Sequence, residues 1–244
     1  MDIFLSRDKT VVGVAFDIPG MGYRNPRTGA IEGFEADVAR AIVEKLPGAP
    51  PCVDFVQVTN KQRIPALQNG LVDMVLSQIT ITPDRAAQVD FSIPYYVTRE
   101  AILVLKGSSI ERFEDLMDKR IAVTAGSISI RRMEASLPDA KILVEPLNAG
   151  CLDAVAKGDA DAASNDLINL ELMQRRTKHP DRYRVIDLGS RFDAKPYGVA
   201  VRKGNQALVS LLNAAIESLR TSGELDRLLN ESLANVGATV GAHV

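Results

Sequence analysis

Apolar positions along the chain fall into short runs and four-residue rhythms that alternate with polar stretches. Val11 to Phe16 is almost continuously apolar and reads as a buried strand. The Gly/Pro-rich stretch DIPGMGYRNPRTG follows and is expected to be loop. Phe34, Val38, Ile42 and Leu46 then recur every four residues, which places them on one face of a helix stopped by Pro47 and Gly48. Val53 to Val58 reads as a second strand. Pro65 suits a first helical turn, and Gly70 ends that short helix before Val72 to Gln78 extends again. The expected order to this point is βαβαβ.

From Ala101 the pattern starts afresh. Strands are expected at Ala101 to Leu105, Ile121 to Thr124, Ile142 to Val144 and Ala160 to Ser164, with helices near 111–117, 127–136, 149–157 and 166–175. Tyr197 to Val201 reads as a further strand. Two helices follow, one carrying Leu208, Leu211, Leu212, Ile216 and Leu219, the other Leu225, Leu228, Leu229 and Leu233, with Gly223 as the stop between them. This alternation argues for the α/β class, with parallel sheets covered by helices. The chain shows neither a low-complexity linker nor a repeat, so its two α/β units are expected to be joined by short crossings.

Composition narrows the function classes. Lys plus Arg number 29 against 31 Asp plus Glu, a formal charge of −2, so no basic field points to nucleic acid as a partner. No apolar run approaches the ~20 residues that a membrane-spanning helix needs. The opening Met-Asp-Ile-Phe-Leu has neither a basic head followed by a long apolar stretch nor a cleavage site, so no export signal is expected in this text. Cys52 and Cys151 are far apart and lack the clustered spacing of a metal or redox site; two buried thiols are expected. No metal or cofactor is expected. His179 and His243 give little material for histidine-based catalysis, and no catalytic residue is assigned.

The segment NKQRIPALQNGLVDMVLSQITITPDRAAQVDFSIPYY, residues 60–96, resembles the polar amino-acid binding proteins of ABC importers. GFEADVARAI at 33–42 is similar to their first helix, and GDADAASND at 158–166 with PYGVAVRKG at 196–204 to their second lobe and return. The resemblance covers essentially the whole chain in order. It implies a two-lobed periplasmic-binding-protein-like α/β fold, each lobe a mainly parallel sheet flanked by helices. Lobe 1 would be residues 1–96 and 197–244 and lobe 2 residues 97–196, joined by a hinge with crossings near 95–99 and 192–197. The ligand of such a fold lies between the lobes, at strand ends and helix N-termini. The implied function is extracytoplasmic capture of a free amino acid by a monomer that delivers it to a membrane permease. Because Cys52 and Cys151 would belong to different lobes, a bond between them would restrain the hinge, and they are expected to stay unpaired.

A free amino acid presents a carboxylate and an ammonium, and burying either unpaired costs several kcal/mol, so its site needs a fixed cation and a fixed anion. Arg85 follows the strand-like Ile79-Thr80-Ile81-Thr82, and its planar fork can grip a carboxylate with two hydrogen bonds, to which Thr80 can add a hydroxyl. By resemblance, the arginine of the T-x-T-x-x-R pattern, here TITPDR, holds the α-carboxylate. Asp166 follows ADAAS; it is either a helix N-cap or, by resemblance, the acceptor of the ligand's ammonium. The Gln78 carbonyl would be a second acceptor, although relatives often carry a small residue there. Gly126-Ser127-Ile128-Ser129 opens a helix whose N–H groups favour an anion, so Gly126, Ser127 and Ser129 are candidate contacts.

Arg63 carries the specificity expectation. Glutamate and aspartate binders resemble NKQRIPAL, with an arginine two positions before the proline, and Asn60 stands where glutamine or basic amino-acid binders place an aromatic wall. An acidic ligand is therefore favoured, glutamine or asparagine next; the alternative role of Arg63 is a salt bridge that stiffens its lobe. FDIPGMGYR resembles the loop of glutamate binders and makes Asp17 and Arg24 further candidates. Two rival functions share the scaffold: a cyclohexadienyl-dehydratase-like enzyme, for which no surplus carboxylate or histidine is clearly placed, and the sensing domain of a receptor or kinase.

Overall fold

The computed structural model describes residues 8–50 and 52–238, so His243 lies outside the described residues. The chain enters through β1 (Thr10–Val14), β2 (Asp17–Ile18), β3 (Gly22–Arg24) and β4 (Ile31–Glu32). It continues through α1 (Phe34–Lys45), β5 (Val53–Gln57), α2 (Arg63–Gln68), β6 (Met74–Val75), α3 (Pro83–Ala86) and β7 (Val89–Thr98). A second series runs β8 (Glu100–Leu105), β9 (Arg120–Thr124), α4 (Ser129–Ser136), β10 (Lys141–Glu145), α5 (Asn148–Lys157), β11 (Ala162–Asp166), α6 (Leu167–Arg176) and β12 (Tyr183–Asp187). After β13 (Lys195–Arg202) come α7 (Gln206–Thr221) and α8 (Glu224–Ala238).

Among the described residues two compact units result, one from the residues up to Val97 with Pro196–Asn235, the other from Thr98–Lys195 with residues 236–238. In the first, the sheet order is β5-β1-β6-β13-β7, with β1 parallel to β5 and β6 and β13 antiparallel to β6. All five residues of β1 are buried, as the continuous apolar run anticipates for a strand covered on both faces. The rhythm of Phe34, Val38 and Ile42 is the buried face of α1. That helix starts at Gly33, whose φ of 113° and whose missing Cβ, which would sit 2.6 Å from the Met21 carbonyl oxygen, both demand glycine.

In the second unit the order is β10-β9-β11-β8-β12, parallel through β10, β9 and β11 and antiparallel at β11-β8 and β8-β12. Successive β8 residues feed opposite faces. Ala101 and Leu103 pack with Cys151, Val155 and Leu170 of α5 and α6, while Ile102 and Val104 pack with Phe113, Leu116 and Met133. Arg120 opens β9 by gripping Asp161 through its backbone N–H and its guanidinium, which holds the Asp161 carboxyl below the usual carboxylate range.

The α/β class stands, with sheets that are mixed. Several local expectations are corrected. DIPGMGYRNPRTG is largely the small antiparallel sheet β2-β3-β4, because Asp17 and Ile18 pair with Tyr23 and Gly22, and Tyr23 and Arg24 with Glu32 and Ile31. The extension expected over Val72 to Gln78 shortens to β6, since Gln78 turns into the left-handed region at φ 43°. The strand expected from Ala160 begins at Ala162, because Gly158 caps α5 left-handed and the Asp159 and Ala160 N–H groups return to the Ala154 carbonyl. The helix expected near 111–117 is a single 3-10 turn, Phe113–Leu116. Strands β7 and β12 lay outside the sequence expectation.

Both cysteines are free thiols, Cys151 buried and Cys52 exposed. The expectation of two buried thiols therefore fails at Cys52, which precedes β5, a strand with a largely exposed face. In the native protein a thiol reagent should label one cysteine, Cys52, and should reach Cys151 only after denaturation. Two rapidly labelled thiols, or none, would contradict this placement.

Candidate functional site

In the first unit the candidate residues follow one another along the segment from β6 to α3. After the Gln78 kink, Thr80 bridges to Tyr197, and the Ile81 N–H donates to the Pro196 carbonyl at 2.8 Å, which lays the segment against β13. Thr82 caps α3: its Oγ1 accepts from the Arg85 N–H, and Pro83 occupies the first turn. Arg85 is half-buried, and its Nη1 donates to the Thr80 carbonyl at 2.8 Å. That bond fixes the guanidinium beside Thr80, itself buried, so the two residues singled out for a carboxylate are neighbours.

Arg63 is placed differently from an exposed reader. It is 2% exposed, and its Nη1 donates to the carbonyls of Ser77 (2.7 Å) and Gln78 (3.1 Å) while Nε donates to the Asn60 carbonyl. It thus braces Asn60 against the Gln78 kink. On the other side, the Glu35 carboxylate accepts from the Gln78 backbone N–H at 2.7 Å, from Gln78 Nε2 and from the Tyr95 hydroxyl. The left-handed Gln78 is therefore held by an anion at its N–H and a cation at its carbonyl. Its side chain turns to Glu35, and its carbonyl already has a donor in Arg63. Asp17 pairs with Tyr23 in the small sheet, and the exposed Arg24 lies over the Phe16 ring at 4.5 Å.

In the second unit, Gly126 takes φ 78° and the Ser127 N–H donates to the Thr124 carbonyl, so α4 begins at Ser129. The Ser127 hydroxyl is buried without a hydrogen-bond partner among the described residues. Asp166 occupies the N-cap position of α6, yet its side chain makes no capping bond. It instead pairs with Lys195 Nζ at 2.5 Å. The same ammonium lies 2.6 Å from Glu100 and donates to Ser129 Oγ at 3.2 Å. Ser129 and Ser164 donate to Glu100 Oε1 at 2.7 and 2.8 Å, and Arg132 meets Oε2 at 3.2 Å.

Glu35, Tyr95, Glu100, Arg132 and Lys195 were missed by sequence reasoning. Two of them left a signal: Glu100 opens the apolar strand EAILVL, and Lys195 precedes PYG at a strand start. A charge in either place needs a buried partner. Their presence also qualifies the expectation that no surplus carboxylate stands near the candidate residues, since Glu100 shares Lys195 with Asp166.

Comparisons with known proteins agree on the kind of molecule. The model of bacterial extracellular solute-binding proteins, family 3, matches residues 10–234. The chain is 35% identical over 222 residues to the ABC transporter glutamine-binding protein GlnH of Bacillus subtilis, covering 91% of this chain and 80% of that protein. It is 29% identical to the glutamate-binding protein GluB of Corynebacterium efficiens, covering 94% and 80% respectively. Among solved structures, an ancestral arginine-binding protein bound to arginine superposes with a TM-score of 0.83 at 31% identity, covering 93% of this chain and 99% of the other.

The Glu35 contacts generate a stability prediction. In Glu35→Gln, an amide donor replaces one acceptor facing three donors, so the variant should lose about 1.5–3 kcal/mol in urea unfolding, the range for hydrogen bonds to charged groups. A change within about 0.5 kcal/mol, the scatter of surface substitutions, would show that Glu35 does not hold the kink.

Proposed function

The chain belongs to the bacterial extracellular solute-binding proteins of family 3, and from that premise we propose that it captures a free amino acid outside the cytoplasm for the membrane permease of an ABC importer. Glutamate or aspartate is the favoured ligand, with glutamine and asparagine next. The protein binds without turning the ligand over and acts as a monomer.

Arg85 is the observation that carries this reading. Its fork is anchored on the Thr80 carbonyl at the start of a capped turn, so a carboxylate can be met by a guanidinium whose position is already set. Asp166 of the second unit serves the ammonium, and Gly126, Ser127 and Ser129 offer N–H and hydroxyl groups; Ser127 Oγ, buried without a partner among the described residues, is the group of this set with most to gain from a ligand. Asn60, Gln78, Asp17 and Arg24 complete the proposed set. The acidic preference rests on Arg63, whose buried positive charge stands behind the Gln78 carbonyl, and on the likeness to a glutamate-binding protein. The likeness to a glutamine-binding protein supports the second choice.

Calorimetric titration with the twenty amino acids tests the proposal, with product analysis on prephenate and arogenate as the control for turnover. Arg85→Ala should fold and lose about 2–5 kcal/mol of binding, because it strands a desolvated carboxylate. Near-parental affinity in that variant would remove the carboxylate assignment. Glutamate and aspartate should outrank glutamine and asparagine, and the margin should narrow in Arg63→Met, which removes charge and keeps length. An unchanged ranking in a folded Arg63→Met protein would defeat the acidic preference and leave amino-acid capture standing.

A further inference from the structure

Lys195 is 1% exposed, and its ammonium has three oxygen partners: Asp166 Oδ1 at 2.5 Å, Glu100 Oε2 at 2.6 Å and Ser129 Oγ at 3.2 Å. An ammonium has three protons to donate, so this one is saturated. Glu100, also 1% exposed, accepts from Ser129, Ser164, Lys195 and Arg132, and Arg132 in turn donates from Nη2 to the Asp193 carbonyl at 2.8 Å. Two carboxylates, Glu100 and Asp166, thus face two cations, Lys195 and Arg132, and the formal charges of these four groups cancel.

The cancellation bears on what Asp166 can attract. An unpaired buried carboxylate would favour any ligand ammonium and would favour a ligand with a second cation more. Here an ammonium that belongs to the protein is already seated on that carboxylate, and a second cation stands on the neighbouring Glu100. A further positive group on the ligand would meet a cluster with no net negative charge, at distances where one unit charge changes affinity by about tenfold or more.

We propose that Lys195 is a specificity-determining residue, a tethered ammonium on Asp166 that restricts the ligand to amino acids of zero or negative net charge and rejects cationic ones. The inference rests on the assignment of Asp166 to the ligand's ammonium and narrows the ligand class at that same site.

The test is titration of glutamate, glutamine and arginine into the parent protein and three variants, each checked for folding by thermal unfolding. The parent should bind arginine weakest. Lys195→Met leaves the cluster at −1 and should raise the arginine-to-glutamate affinity ratio by about tenfold or more. Glu100→Gln leaves it at +1 and should lower that ratio by a similar factor. The double variant Glu100→Gln/Lys195→Met returns to zero and should restore the parental ratio, which a merely structural role for Lys195 would not produce. Should Lys195→Met not fold, the fall in Glu100→Gln decides the matter. A parent that prefers arginine, or ratios that ignore the charge of the cluster, would overturn the inference and leave amino-acid binding intact. A parent that binds none of the three would overturn the binding assignment and this inference with it.

Discussion

A carboxylate taken out of water must be met by donors from several directions, and in each unit one buried glutamate meets this constraint beside candidate ligand residues. Glu35, at the start of α1, draws the Gln78 kink and Tyr95 of β7 to itself. Glu100, at the start of β8, draws α4 through Ser129 and Arg132, β11 through Ser164 and the start of β13 through Lys195. Hydrophobic burial supplies most of the stability of such units but is non-directional. A saturated buried carboxylate tolerates little displacement, because each donor must keep its distance and angle. The glutamates therefore hold Gln78 in one unit and, in the other, Ser129 and, through Lys195, Asp166.

The two neighbourhoods solve the problem differently. Around Glu35 the donors are a backbone N–H, an amide and a phenol, and the effect is local: a residue in an uncommon backbone region is clamped between anion and cation. Around Glu100 the solution is ionic, and the surplus reach of Lys195 extends to Asp166. One lysine thereby links a carboxylate that is purely internal to one proposed to meet the ligand, so the internal packing of the unit and the charge offered to a ligand are not independent.

The larger elements were legible in the sequence because periodicity reports burial directly: Phe34, Val38 and Ile42 on α1, the continuous run of β1, and the leucines of α7 all did so. What escaped was set by hydrogen bonding rather than by burial. Strand β12, YRVID, alternates weakly and is recruited by pairing with β8, and the small sheet at 17–32 forms in a stretch rich in turn residues because its strands pair with one another. The kink at Gln78 was invisible for the same reason, since nothing in VLSQIT marks a left-handed residue until Glu35 and Arg63 are seen on either side of it.

Site residues divide along the same line. Thr80 and Arg85 could be read locally, because capping, a first-turn proline and a five-residue spacing place them side by side. Arg63 and Asp166 could be located but not understood locally, because their meaning depends on partners far along the chain: the 77–78 carbonyls for the first, Lys195 for the second. Charge counted along a sequence says which groups exist, while function depends on which remain uncompensated after folding. Arg63 meets two carbonyls with one nitrogen, and the Glu35 carboxylate stands on the other side of the same Gln78 residue. Asp166, paired with an ammonium, does not keep its charge to itself. On the proposed assignments, the guanidinium behind Gln78 favours an acidic ligand, whereas the aspartate at the head of α6 is a discriminating rather than a general acceptor for cations.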